Sequence, residues 1–372
     1  MTTFDRYLLR RFLHTFAILF VTLLGLYVVI DGFTNVDGFQ EGTDDPVVVL
    51  RRMASYYAYQ SSLMFDLMGP TVAVASVMVV AALLVKNSEY QPILAAGVPL
   101  ARLTLPFVFG LLLVTAVILA NQEYLIPRIA HKLQGPRSEL KAALQEVTPQ
   151  IDYTTGIVIE GSSLDVKGRR IVGARFVLPA PELVGVLRSV DAESARYVPK
   201  TSKNPAGWVL TNTSPANYEE LPLTKRGIEY VVPVLGSDEI FVRSDISFDL
   251  VCDNSRSTTW QATPELVQRI RNPALSQHVA RDQTFLLHQR LVQPLLNLLA
   301  GLACIPLVIR RESRSLVASL AMASGIQGMM LGALHGATLL GKAGFVPADV
   351  AAWLPVIICG TLAGWVTGYA QT

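Results

Sequence analysis

The first segment whose residue types are suited to chemistry nearly matches a phosphate-binding loop. It runs Gly336-Ala337-Thr338-Leu339-Leu340-Gly341-Lys342-Ala343, with glycines and a lysine at the positions of that pattern. The pattern also requires Ser or Thr at the last position, where the hydroxyl reaches magnesium, and a strand before the loop. Ala343 occupies the last position and an apolar run precedes the segment. We therefore interpret it as a glycine-rich loop between apolar segments and expect no ATP hydrolysis by this chain.

Ser324 and His335 are the next candidates, as a nucleophile and its base. They share a helical face, but eleven residues at a rise of 1.5 Å put them about 16 Å apart. A nucleophile and its base must lie about 3 Å apart, so this pair fails, although a partner from another helix remains open. The remaining histidines do not have the spacing of metal ligands: His14, His131, His278 and His288. We predict no catalytic residue, no metal and no cofactor.

The composition indicates that lipid is the main solvent of the chain. Of the 372 residues, 51% are hydrophobic and 16% are charged, with a mean hydropathy of +0.40, whereas soluble proteins carry roughly 25% charged residues. The net charge of +2 gives no bulk attraction to nucleic acid, and three cysteines provide no disulfide framework. These values exclude a soluble cytosolic enzyme.

Six segments are apolar for about the 20 residues that a transmembrane helix needs. They are Phe12–Ile30, Leu63–Val85, Leu103–Ala120, Leu291–Ile309, Leu316–Leu340 and Val350–Tyr369. We predict an α+β integral membrane protein in three parts: three spans in 1–123, a β-rich domain in 124–288, and three spans in 289–372. We interpret the first span as a retained helix, because no small-x-small cleavage site follows it.

The basic residues of the short loops predict the orientation of the spans. Eight lie on one side, namely Arg6, Arg10, Arg11, Lys86, Arg102, Arg310, Arg311 and Arg314, and three on the other, namely Arg51, Arg52 and Lys342. The excess predicts that both termini are cytoplasmic and that the large domain is outside.

The middle of the chain is rich in short β-type segments separated by turn residues, which favours a sandwich or open barrel. The predicted strands are Gly156–Glu160, Arg169–Leu178, Gly207–Asn212, Gly227–Val234, Glu239–Val242 and Ser247–Val251. A helix is predicted from Thr263 to Ile270, with proline near its start.

The cytoplasmic loop after the second span predicts a short helix over residues 88–97. Ser88 is suited to cap it, and Glu89 lies in the first turn, where the helix dipole favours a carboxylate. Gly97 ends it. The helix offers apolar and aromatic side chains to a partner protein, namely Tyr90, Ile93 and Leu94; alternatively, it is an interfacial turn that rests on lipid.

Two features of the spans have both a packing and a functional interpretation. Gly325, Gly328, Gly332 and Gly336 form a stripe of small residues in the fifth span, which favours close helix approach. The stripe packs inside one bundle or forms a seam against a partner subunit. Asp66, in the second span, is a functional candidate by its depth or simply reaches interfacial water.

The whole chain resembles the lipopolysaccharide-export permease family LptF/LptG (also called YjgP/YjgQ), and its start and end are more similar to LptG. The order of several short stretches carries the resemblance: Asp5-Arg6-Tyr7-Leu8, Ile30-Asp31-Gly32-Phe33, Asp37-Gly38-Phe39, Ser88-Glu89, Ala95-Ala96-Gly97-Val98, Asn121-Gln122-Glu123, Pro127, Arg290-Leu291, Pro294, Gly341-Lys342-Ala343-Gly344 and Ala351-Ala352-Trp353-Leu354-Pro355.

The resemblance implies a half-transporter of the bacterial inner membrane. Two permeases, this chain with an LptF-like sister or a second copy, would enclose a V-shaped cavity for lipopolysaccharide. An LptB-like cytoplasmic ATPase dimer would dock on the coupling helix, where Glu89 is the leading contact residue. The inserted domain would be a periplasmic β-jellyroll that joins LptC- and LptA-like bridge proteins. The lateral gates would lie between the first span of one subunit and the fifth of the other, which includes the glycine stripe.

One position departs from the family. LptG members often carry a lysine near the outer end of the first span, where this chain has Asp31. A carboxylate repels an anionic glycolipid unless a cation compensates, and Arg51 and Arg52 follow nearby. The cargo is therefore lipopolysaccharide or another glycolipid. The alternative function is a mechanotransmission protein that regulates periplasmic machinery without moving lipid.

Overall fold

The computed structural model describes residues 3–40, 45–89, 91–97, 100–134, 147–165, 168–201, 205–215, 221–234, 239–252, 257–309 and 316–371. The chain divides into two compact units. One comprises residues 1–37, 46–133 and 284–372, and the other comprises residues 38–45 and 134–283.

Long helices make up the first unit, and six of those described are long and apolar enough to cross a membrane. Along the chain the helices are α1 (Thr3–Thr34), α2 (Val36–Gln40), α3 (Pro46–Lys86), α4 (Gln91–Ala95), α5 (Leu100–Ala120), α6 (Ile126–Gln134), α10 (Gln277–Val308), α11 (Leu316–Ala343) and α12 (Ala348–Gln371). Each apolar segment predicted from the sequence lies in one of the six, and most of these helices continue well beyond it. With 41 residues at 1.5 Å each, α3 is about 61 Å long, roughly twice the hydrocarbon thickness of a bilayer.

Close packing between α1, α3, α5 and α10 forms the core of the helical unit. Leu8 and Phe12 of α1 and Phe107 of α5 are fully buried. Gly110 of α5 lies against Phe12 so closely that a Cβ atom there would be 2.5 Å from the ring. Only glycine permits this approach, because interiors leave no spare volume.

One antiparallel sheet of eight strands is the main feature of the described part of the second unit. Its strands are β1 (Gln150–Ile151), β2 (Val158–Glu160), β3 (Ser163–Asp165), β4 (Arg170–Leu178), β5 (Arg188–Val198), β6 (Gly207–Ser214), β7 (Val231–Pro233) and β8 (Ile240–Arg243). They pair in the order β1-β2-β4-β5-β6-β8-β7, and β3 pairs with β4. Short helices follow or interrupt the strands: α7 (Gly227–Tyr230), α8 (Phe248–Val251) and α9 (Thr263–Ile270).

The two faces of the sheet differ in polarity. Trp208 and Phe176 are fully buried on the core face, and the Trp208 indole N–H donates to the carbonyl of Ile246 at 2.9 Å. A polar cavity of about 490 Å³ lies on the sheet, lined in part by Arg175, Asp191 and other polar side chains. The α+β class is therefore confirmed, while the jellyroll form remains a prediction.

The structure corrects the sequence-based assignment at several segments. The longest strand, β5, was missed because its buried positions include the small residues Ala192 and Ala195, which give a weak hydrophobic signal. Ser247–Val251 is not a strand, since Phe248–Val251 is one helical turn. The predicted strand Gly227–Val234 begins with the turn α7. Gly336–Ala343 is not a loop, because it lies within α11.

Candidate functional site

Ser88 ends the long helix α3, and the prediction that it caps the next helix is wrong. Its φ is 54°, in the left-handed region. The Ser88 N–H donates to the Val85 carbonyl and the Glu89 N–H to the Leu84 carbonyl, both at 3.0 Å. These two bonds form a Schellman motif, the usual way in which a helix ends. The sequence favoured an N-cap because serine suits that position, but the bonds at the end of α3 prevail.

Only part of the predicted coupling helix is described as a helix. α4 covers the five residues Gln91–Ala95, and Gly97 follows with a φ of 79°, consistent with a helix stop. Tyr90 lies outside the described residues, and so do the side chains of Ile93 and Leu94. We use the name coupling loop for residues 87–97.

The carboxylate of Glu89 joins the coupling loop to α1. Its Oε1 accepts hydrogen bonds from Arg11 Nη1 at 3.1 Å and Asn87 Nδ2 at 3.0 Å. Its Oε2 accepts from Arg11 Nη1 at 3.0 Å and from the Tyr7 hydroxyl at 3.1 Å. The hydrogen bond from Asn87, with those from Arg11 and Tyr7, lowers the pKa of the Glu89 carboxyl despite the opposing effect of burial. Glu89 is therefore ionised at neutral pH.

Asp31, near the end of α1, is also held by its own chain. Its Oδ2 accepts from the Tyr57 hydroxyl at 2.8 Å and its Oδ1 from Asn35 Nδ2 at 3.0 Å. Gly32 allows this contact, because a Cβ there would lie 3.2 Å from Met53 and 3.4 Å from the Tyr57 hydroxyl. The Asp31 carboxylate is thus built into the junction of α1 and α3.

The remaining residues of the predicted cavity lie along α3. Arg51 is exposed and Arg52 is half-buried, both in the first turns of α3. Asp66 lies farther along the same helix and interacts electrostatically with Arg290 of α10. Asp66 and Asp31 therefore do not share one hydrogen-bonded cluster. Asp66 lies instead with Arg290, a basic residue that the sequence reasoning missed.

Arg290 is a buried basic residue that interacts with two half-buried acidic residues, Asp66 and Glu123. It is only 8% exposed, and its Nη1 lies 3.6 Å from Glu123 Oε1. Glu123 belongs to a π-helical turn, Asn121–Leu125, between α5 and α6. Such single turns inside helices occur frequently at functional sites, and no sequence pattern predicts this one.

The same π-helical turn bonds to α3. The buried Asn121 donates from Nδ2 to the Ser62 carbonyl at 3.0 Å, and its Oδ1 accepts from the Ser62 hydroxyl at 2.7 Å. Polar side chains thereby join α3, α5 and α10 within the helical unit.

The glycine stripe of α11 is not packed against the described part of its own chain. A Cβ built at Gly325, Gly328, Gly332 or Gly336 would meet nothing within 4 Å. The interpretation that the stripe packs inside one bundle is therefore wrong for the described residues. Of the six long apolar helices, α11 and α1 have the smallest share of buried residues in their most apolar 18-residue stretch, 17% and 6%. The share is 33–67% in the other four helices.

The chain's own partners of Glu89 could not have been read from the sequence. Arg11 and Glu89 are 78 residues apart, and only the four-residue spacing of Tyr7 and Arg11 on one helix face gave a signal. Of the predicted site residues, Ser88 and Glu89 are neighbours in the coupling loop, whereas the four glycines of the stripe lie on α11.

A comparison with protein-family models identifies the chain. The model for "Lipopolysaccharide export system permease LptF/LptG" matches residues 6–369, nearly the full length. A search among curated proteins gives no significant match. The match agrees with the six apolar helices, and such permeases are multi-pass proteins of the bacterial inner membrane. The chain belongs to the LptF/LptG family of lipopolysaccharide export system permeases.

Proposed function

We propose that this chain is the transmembrane subunit of an ATP-driven exporter that moves lipopolysaccharide, or a similar glycolipid, out of the inner membrane. An LptB-like ATPase dimer drives it from the cytoplasm, and an LptF-like sister or a second copy completes the cavity. The β-rich domain passes the lipid to LptC- and LptA-like bridge proteins. The family match over residues 6–369 is the observation that carries this proposal.

The coupling loop supports the docking of an ATPase. A docking surface must transmit force, so it must be attached firmly to the helices that move. Glu89 is bonded to α1 through Tyr7 and Arg11, and the loop follows directly from α3. The side chain of Glu89 remains 28% exposed, which leaves part of it accessible to a partner.

The open faces of α1 and α11 support a gate between two permeases. A membrane helix gains its association energy from close packing, which small residues permit. The open glycine stripe of α11 and the apolar face of α1, with Val21 and Phe33 strongly exposed, are suited to face one another across two subunits.

The contacts of Asp31 leave room for an anionic cargo in spite of its charge. Tyr57 and Asn35 donate hydrogen bonds to it, so the carboxylate is held by its own chain at the junction of α1 and α3. Arg51 lies exposed in the first turns of α3 and supplies a positive charge for phosphate groups.

Co-purification tests this proposal. The full-length chain is expected to retain a soluble ATPase, and Glu89→Arg is expected to lose it while the chain still inserts into the membrane. Asp349→Arg, a charge reversal at the exposed start of α12, serves as the control. Retention of the ATPase by Glu89→Arg would contradict the docking assignment.

The mechanotransmission alternative is not favoured. The matching family is defined by lipid export. None of the described contacts points to a regulator that moves no lipid.

A further inference from the structure

The carboxylate of Glu89 has its acceptor positions filled by its own chain. An ionised carboxylate offers about four lone-pair sites, and Glu89 accepts four contacts from Arg11, Asn87 and Tyr7. Arg11 also donates to the Tyr7 hydroxyl at 2.7 Å, and its guanidinium lies 5.6 Å from the centre of the Tyr7 ring. A partner that used Glu89 as a free ligand would first have to break these bonds.

The bonds connect two different elements. Two exposed ion pairs of the sheet, Arg175–Asp191 and Arg170–Asp165, join residues that already lie side by side on neighbouring strands. Arg11 and Glu89 instead join α1 to the loop that follows α3, with side chains that are 19% and 28% exposed. Partial burial weakens the screening of such a pair by salt.

The position of this contact on α1 gives it mechanical importance. α1 is one helix from Thr3 to Thr34, so Arg11 and Asp31 are about 30 Å apart on a single rod. Its firm packing lies near the Arg11 end, where Leu8 and Phe12 are fully buried. Over the most apolar stretch of α1 only 6% of the residues are buried, and Asp31 joins the far end of the helix to Tyr57 of α3. A displacement applied at Arg11 would therefore reach that junction along one continuous helix.

We propose that Tyr7 and Arg11 are positioning residues that attach α1 to the coupling loop, so that movement of the loop is transmitted to α1 directly and not only through α3 and α5. This inference rests on the proposed function, because it assigns the route by which an ATPase moves the gate helix. Docking requires only the exposed part of the loop, whereas transmission requires the bonds to α1.

The test measures how many lipid molecules are released per ATP hydrolysed by the complete reconstituted complex. Arg11→Gln keeps the Glu89 carboxylate but removes the ion pair. We expect this variant to retain the ATPase and hydrolyse ATP, and to move about threefold fewer lipids per ATP, a change within the range for a partly exposed pair. Arg11→Lys, which keeps the charge, is expected to recover most of the ratio.

Arg10→Gln is the matched control, because Arg10 is the preceding residue, is exposed and lies on another face of α1; we expect it to keep the wild-type ratio. Tyr7→Phe, which removes the hydrogen bonds of the Tyr7 hydroxyl with Glu89 and Arg11, is measured in parallel and decides the question if Arg11→Gln does not insert. An unchanged ratio in Arg11→Gln, or in Tyr7→Phe where only that variant inserts, would overturn the inference. Loss of the bound ATPase in Arg11→Gln would also overturn it. Absence of an ATPase from the wild-type complex would instead refute the proposed function.

Discussion

At the scale of single residues, acidic side chains that the sequence offered as contacts for other molecules are bonded within the chain. Glu89 is bonded to α1, and Asp31 is bonded to Tyr57 and Asn35. Each carboxylate therefore has a structural task besides any contact with a partner. Residue type and position along the chain identified both residues, but their partners required the fold.

The lowered pKa of Glu89 predicts how its contribution depends on pH. Because the folded pKa lies below the ordinary value of 4.5, the stabilisation is fully present above pH 4.5 and is lost as the pH falls through the folded value. The melting temperature of the detergent-solubilised chain should therefore exceed that of Glu89→Gln at pH 7, and the difference should shrink below pH 4.5. Since other carboxyl groups titrate in both proteins, the difference isolates Glu89. A difference that stays constant or grows on acidification would contradict the assignment.

At the scale of elements, the helical unit is held by a few polar contacts within an apolar core. The π-helical turn Asn121–Leu125 brings Asn121 to Ser62 and Glu123 to Arg290. Breaking one member of such a cluster leaves an uncompensated buried charge, which is more costly than removing the whole cluster.

Arg290→Met should destabilise the helical unit by about 1–3 kcal/mol, because the half-buried Asp66 and Glu123 would lose their cation. Thermal unfolding in detergent measures this loss. Arg102→Met is the control, since Arg102 is exposed near the start of α5. Adding Glu123→Gln to Arg290→Met should recover part of the stability. Equal stability of Arg290→Met and the control Arg102→Met would show that the cluster is not energetically important.

The glycine stripe predicts a separation between folding and assembly. Gly332→Leu introduces a side chain into open space, so the isolated chain should change in stability by about 0.5 kcal/mol or less. Binding of the second permease should be lost, because the close helix approach is blocked. Gly341→Leu is the contrasting variant: its Cβ would lie 2.9 Å from Phe285 and 3.0 Å from Ala351, and it should destabilise the isolated chain. Retention of the second permease by Gly332→Leu would rule out the seam.

Sequence reasoning located the membrane helices because a long apolar segment has few alternatives to a membrane-spanning helix. It failed where local preference competes with distant contacts. Ser88 suits a helix start, yet the bonds to Leu84 and Val85 make it a helix end. The strand β5 carries small residues at buried positions, so only its pairing with β4 and β6 defines it.

At the scale of the whole molecule, the chain has a helical unit and a unit built on an antiparallel sheet. In the helical unit, α1 and α11 have the smallest buried shares of their most apolar stretches. The open helices α1 and α11 are what a subunit needs if it completes a cavity with another subunit. Among the described residues no cluster of side chains is suited to hold a metal ion. The proposed function assigns the energy for transport to a separate ATPase.

Photocrosslinking of lipid to α1 tests the central claim most directly. A photoreactive residue is placed at Phe33, which is 83% exposed, in the complete complex with lipopolysaccharide and ATP. A second is placed at the fully buried Phe12 as the control. We predict a lipopolysaccharide adduct at position 33 whose yield changes during ATP turnover, and none at position 12. The absence of any adduct at position 33, with and without ATP turnover, would contradict lipid export by this chain.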